Sequence, residues 1–124
     1  MKERVNERLN ERYWIWITEV GNIPPREGRA VTVAGRELAI FNLGDRFVAV
    51  DNKCPHKGGP LADGIVSGDT VVCPLHGWRI GLAGGDVERP ANVEHCVERY
   101  PTMVDKGVIV VGLPAAKKGA GEAA

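Results

Sequence analysis

Residues 35–80 read GRELAIFNLGDRFVAVDNKCPHKGGPLADGIVSGDTVVCPLHGWRI, and they carry both a turn pattern and a metal-binding chemistry. Short apolar and β-branched runs alternate with turn residues. Glu37–Leu43 passes through Gly44-Asp45 into Arg46–Asp51, and Thr70–Val72 and Trp78–Leu82 follow beyond a stretch rich in glycine and proline. Runs of this length, bounded by Gly and Asp, predict strands, and none has a convincing helical period. Two segments lie just after predicted strands: Cys54-Pro55-His56 after Phe47–Asp51, and Cys73-Pro74-Leu75-His76 after Val71-Val72. Each offers one thiolate and one imidazole, and each cysteine precedes a proline that restricts its backbone.

Outward from this stretch the pattern persists. Upstream, YWIWI (residues 13–17) is aromatic and β-branched, a strand by composition. Asn22-Ile23-Pro24-Pro25 and Arg26-Glu27-Gly28 form a connector that cannot continue a ladder, since proline has no amide donor. Ala30–Val33 turns through Ala34-Gly35. Downstream, Val97–Met103 and Val108–Val111 are joined by the hairpin turn Asp105-Lys106-Gly107. Many short strands with Gly and Asp at the bends predict an all-β sandwich or barrel-like body over residues 13–113. Residues 1–12, with Val5 and Leu9 on one thin stripe that continues to Tyr13, predict a short helical or loose N-terminal extension. PAAKKGAGEAA (residues 114–124) predicts a flexible tail.

The bulk numbers fit one folded domain: 124 residues, 44% hydrophobic and 26% charged. Lys and Arg balance Asp and Glu, 16 against 16, so no global charge points to nucleic acid. No apolar run approaches the length of a spanning helix, and MKERVNERLNER has no secretory signal pattern. Three cysteines in such a chain do not predict a disulfide scaffold. The expected setting is a reducing cytoplasm in which thiolates can hold metal.

The four candidate ligands are Cys54, His56, Cys73 and His76. One zinc ion could take two Cys and two His, but its familiar spacings put two or more residues between the first ligands. Here the first pair has only Pro55 between. A binuclear cluster eases that geometry if each segment gives its Cys to one iron and its His to the other, as in Rieske centres. Two ferric ions, two sulfides, two thiolates and two neutral imidazoles sum to no net charge. An all-cysteine cluster starts two units more negative and is harder to reduce. Histidine ligation therefore raises the potential and couples reduction to proton uptake.

NKCPHKGGPLADG (residues 52–64) and VVCPLHGWRI (residues 71–80) resemble the two cluster-binding loops of Rieske-type [2Fe–2S] ferredoxins. More narrowly, residues 35–80 resemble the small subunit of assimilatory NAD(P)H nitrite reductase. The likeness runs on into HCVERYPTMVDKGVIVV (residues 95–111) and covers about residues 13 to 111. It implies the Rieske iron–sulfur fold, stacked antiparallel sheets with a tip formed by two ligand loops. One [2Fe–2S] cluster is implied per chain, with Cys54 and Cys73 on the inner iron and His56 and His76 on the outer. The respiratory-complex branch adds a disulfide between the loops, where this chain has Gly59 and Leu75. That branch also places serine and tyrosine hydroxyls near the sulfurs, where this chain has Trp78 and Ile80. Losing two donors implies a midpoint in the low part of the Rieske span of about −150 to +300 mV.

Other residues near the motifs have plainer readings. Gly58, Gly59 and Gly77 serve as turn residues or allow close backbone approach to sulfur. Trp78 is a core aromatic or a shield for the cluster. Cys96, beside His95, reads as a buried small hydrophobe. Lys53, Lys57 and Arg79, with Asp51, Asp63 and Asp69, form a solvated surface or a docking rim.

Three functions are in play. First comes one-electron transfer as the small subunit of a cytoplasmic nitrite reductase, an oxidoreductase component without a complete active site of its own. Its partner would be a large subunit carrying flavin, sirohaem and a [4Fe–4S] centre. A freestanding Rieske ferredoxin donating electrons to an oxygenase is the alternative, and a zinc-stabilised binding module the third. No nucleic-acid or membrane partner is expected.

Overall fold

In the computed structural model, which describes residues 12–54, 58–75, 77–90 and 97–114, three antiparallel sheets are stacked. The strands are β1 (Arg12–Glu19), β2 (Gly28–Val33), β3 (Arg36–Asn42), β4 (Phe47–Asp51), β5 (Ile65–Ser67) and β6 (Thr70–Val72). They continue with β7 (Arg79–Gly81), β8 (Val87–Arg89), β9 (Arg99–Tyr100), β10 (Thr102–Asp105) and β11 (Val108–Pro114). Strand orders are β1-β11-β10, β2-β3-β4-β9 and β5-β6-β7-β8. Two-residue turns at Ala34-Gly35 and Lys106-Gly107 have positive φ at both positions, the backbone twist that tight hairpins need. No helix among the described residues is long and apolar enough to cross a membrane.

The β2-β3-β4-β9 sheet lies in the middle. Leu38 and Ile40 of β3 join one core with Ala49, Tyr100, Ile109 and Val111. The intervening Ala39 and Phe41 join another with Val50, Leu61, Val71, Ile80 and both Cys54 and Cys73. Successive side chains of a strand face opposite ways, so LAIF is apolar throughout because both its faces are covered. Complete burial of a large apolar side chain stabilises by about 1.5–3 kcal/mol, and Leu38, Ile40 and Phe41 are fully buried.

The chain leaves the middle sheet at Asp51 and re-enters it at Arg99, on the adjacent strand: Ala49 faces Tyr100 and Val50 faces Arg99. Everything described between them, β5 to β8 and a 3₁₀ turn at Leu61–Asp63, forms an outer lobe bearing the candidate ligands.

The all-β architecture of stacked antiparallel sheets is the one expected. Several details differ. Val97–Met103 is not one strand, because Pro101 interrupts it; β9 stays in the middle sheet while β10 joins β11. The Pro101 carbonyl accepts the Gly112 amide at 2.9 Å, which fixes the crossing point. Strands β5 and β8, with three residues each, have no counterpart in the sequence pattern. Strands β1 and β11 each extend one residue beyond the expected body, with Arg12 facing Pro114.

Candidate metal centre

Cys54 and Cys73 occupy loops of the same construction. The Cys54 amide donates to the Gly59 carbonyl at 2.8 Å, and the Gly58 amide donates back to the Cys54 carbonyl at 2.8 Å. In the second loop the Cys73 amide donates to the Trp78 carbonyl at 2.7 Å, and the Gly77 amide to the Cys73 carbonyl at 3.0 Å. Each loop is thus closed twice on its own cysteine. The returning bond requires a left-handed residue in the same place, Gly58 with φ 73° and Gly77 with φ 75°.

The loops also touch. A Cβ built on Gly59 would stand 2.8 Å from Cys73 Sγ and 2.9 Å from Leu75 Cγ. Glycine at 59 is therefore a requirement of close approach, the functional alternative among the two readings of its sequence. Gly59 and Leu75, at the places where the respiratory branch carries its bridging cysteines, are neighbours in space. Both candidate thiols are 2% exposed, and no disulfide joins them.

Loop 1 is held from below by polar contacts that the motif does not reveal. Asn52 is the buried polar residue of the described chain, 4% exposed. Its Nδ2 donates to Glu37 Oε2 at 3.0 Å, and its Oδ1 accepts the Ala62 amide at 2.7 Å, so one side chain ties β3 to the far side of the loop. Next to it, Tyr100 donates its hydroxyl to Asp51 Oδ1 at 2.6 Å and accepts from Arg36 Nη1 at 3.0 Å. The Arg36 guanidinium also lies 5.8 Å from the Tyr100 ring centre. Burial, then the Asp51 carboxylate, push the Tyr100 hydroxyl up to about 12, and Arg36 only partly opposes them. Asp51, grouped by sequence with a surface rim, is therefore an internal acceptor. Lys53, Asp63, Asp69 and Arg79 are exposed.

Ile80 is fully buried in the core shared with both cysteines, and Trp78 packs partly buried against it. His56 and His76 lie outside the described residues, as do Lys57, His95, Cys96 and both terminal segments, residues 1–11 and 115–124. Among the described residues no three His, Cys, Asp or Glu side chains gather at one point. What is described fits an iron–sulfur group: two buried thiols on facing loops, the donor type that selects soft metals and Fe–S clusters.

Residues 13–101 match the family model described as Rieske [2Fe-2S] domain. The chain is 30% identical over 100 residues to the ferredoxin component of a naphthalene 1,2-dioxygenase system from Pseudomonas aeruginosa, covering 81% of this chain and 95% of that one. Among solved structures it is similar to the ferredoxin of carbazole 1,9a-dioxygenase from Nocardioides aromaticivorans IC177 (TM-score 0.74, 26% identity, 82% and 97% covered). It is also similar to a protein from Mycobacterium tuberculosis whose assignment as an NADH-dependent nitrite reductase small subunit is provisional (TM-score 0.73, 28% identity, 82% and 95% covered). Other relatives are longer, and the chain spans 21% of one of them, a monooxygenase from Methylococcus capsulatus.

Proposed function

Since the chain belongs to the Rieske [2Fe–2S] domain family, we propose that it is a one-electron carrier, the ferredoxin component of an oxygenase system. The observation that carries this reading is the contact of Gly59 with the Cys73 sulfur, which holds two identically closed cysteine loops face to face. Cys54 and Cys73 would hold the inner iron, and His56 and His76 the outer. When bound, the cluster takes up and releases one electron. The chain's own residues do the rest. Gly58 and Gly77 shape the loops, Asn52 and the Tyr100 network hold loop 1 at a fixed height, and Leu61 and Ile80 keep water from the thiolate side. A cytoplasmic setting suits thiolates that must stay reduced.

The oxygenase reading replaces the nitrite-reductase reading in first place. Ferredoxin components of dioxygenase systems match over nearly their whole length, and several such relatives do so. The nitrite-reductase small subunit remains the second reading, favoured by the Mycobacterium tuberculosis structure.

Iron and acid-labile sulfide analysis after anaerobic reconstitution tests the carrier. Two of each per chain, with a rhombic spin-½ signal on reduction, is the expected result. A tightly bound zinc ion with no uptake of iron would overturn it. Electron delivery to a co-expressed oxygenase, compared with delivery to a sirohaem nitrite reductase, separates the two partners.

A further inference from the structure

One row of the outer lobe carries two like charges where strands ordinarily pair opposite ones. The register of β5-β6-β7-β8 sets Ile65 against Val72, Val72 against Arg79, and Arg79 against Arg89. Directly opposed residues share a face. The adjoining row of Val66, Val71, Ile80 and Val87 belongs to the core, so Ile65, Val72 and Arg79 look outward, and a bulge at Glu88, between the Arg79 and Ile80 pairings, leaves the exposed Arg89 opposite Arg79. Ile65 is 71% exposed, and both arginines are exposed.

Like charges directly across a ladder destabilise it, and no ion pair among the described residues involves either arginine, although the Glu88 carboxylate lies on the same face. The ion pairs among the described residues join Arg29 to Glu27, and Arg46 to Asp45 and Asp69. Glu88, next to Arg89, accepts the Thr70 hydroxyl at 3.0 Å instead. The row also abuts the second loop. Val72 precedes Cys73, Arg79 follows Trp78, whose carbonyl closes the loop, and Leu75 within the loop is 52% exposed.

We propose that this row is a docking surface for an acidic redox protein. Carboxylates beside that protein's own metal centre pair with Arg79 and Arg89, while Ile65 and Leu75 receive its apolar contact. Arginine suits this task, since its planar fork binds carboxylate through two parallel bonds. Nucleic acid is the poorer occupant, because it needs many phosphate contacts and the chain has no net positive charge. The proposal rests on the electron-carrier reading and names the chemistry of its partner.

The test compares the parent protein with Arg89→Glu and with Arg79→Gln/Arg89→Gln, each assayed for iron and sulfide. Every reduced sample is oxidised in stopped flow by ferricyanide, each anion taking one electron to become ferrocyanide, and separately by the cationic tris(phenanthroline)cobalt(III). Arg89→Glu should slow ferricyanide severalfold and speed the cobalt complex, with both effects lost in high salt. Its melting temperature should rise, since opposite charges now face across β7 and β8. Labelled hexaglutamate should bind the parent and not the double Gln variant. Unchanged rates together with a lowered melting temperature would overturn the docking row, making the arginines structural. Arginine-dependent binding of a short DNA duplex in preference to hexaglutamate would overturn it in favour of nucleic acid. A chain that takes up no iron defeats the carrier reading itself, whereas a loaded chain with unchanged rates defeats only the row.

Discussion

Gly59 and Cys73 are in contact across two loops: a Cβ on the glycine would lie 2.8 Å from the cysteine sulfur. The neighbouring Gly58 has the opposite character, with nothing within 4 Å of an added Cβ and φ 73°. Two adjacent glycines thus answer different demands, one for room and one for backbone handedness.

Substitution by asparagine separates these demands, since asparagine enters the left-handed region more readily than other residues with a side chain. Gly58→Asn should keep iron and sulfide near parental levels. Gly59→Asn should lose most of both, and Gly59→Ala should already cost about 1–3 kcal/mol, as overpacking of a tight site does. Metal analysis and thermal melts read the contrast.

Cys54→Ala and Cys73→Ala should each abolish iron and sulfide incorporation, because ordering of the loops and metal binding are coupled. Cys96→Ala should retain both. Equal loss in all three variants would reassign the third cysteine as a ligand.

Asn52→Leu removes the acceptor of the Ala62 amide and the donor to Glu37. A buried group left without a partner costs about 1–3 kcal/mol, so urea midpoints should fall accordingly. The reduced-state spectrum should also broaden, because loop 1 loses its tie to β3. A melt unchanged from the parent would remove Asn52 from the support of the loop.

The Tyr100 hydroxyl has an ordinary value of 10.0 and is pushed up to about 12 in the fold. The neutral form is the one the folded state favours. Its contribution is therefore complete below pH 10.0 and lost as pH rises through about 12. Tyr100→Phe should lower stability at neutral pH by about 1.5–3 kcal/mol, the range for a hydrogen bond to a charged group. It should also flatten the alkaline limb of the stability profile. An unchanged alkaline limb in chemical denaturation would show that Tyr100 does not set it.

Trp78→Ser should raise the midpoint by supplying a hydroxyl toward sulfur, and Trp78→Ala should reproduce only the part due to added water. Voltammetry on the two variants tells these causes apart. Equal shifts would assign the expected low potential to solvent exclusion. The companion change Ile80→Tyr is the riskier one, since Ile80 is fully buried and the added ring must displace core neighbours.

Much of this was legible in the chain. Gly44-Asp45 and Lys106-Gly107 announced their turns, and the Cys-x-His and Cys-x-x-His spacing singled out the two cysteine loops that the fold sets face to face. Strands β5 and β8 were too short for any alternation to show. Pro101 signalled an interruption, yet which sheet each half would join depends on partners distant in sequence. Asn52 and the Arg79–Arg89 pair were hidden for a related reason: burial and cross-strand register belong to the assembled sheets, and neither has a local signature.

The adjacency of Asp51 and Arg99 gives the outer lobe the character of an insertion. Its two ends emerge side by side from neighbouring strands, so the span between them is clamped at its base. Insertions whose ends lie close together are the kind a host domain tolerates. The lobe's loops can therefore vary in length without moving its ends, whereas the face it lays on Phe41 and Val50 is fixed by the shared core. The sheets beneath, with a core of their own around Leu38, Ile40 and Ile109, keep the same seam.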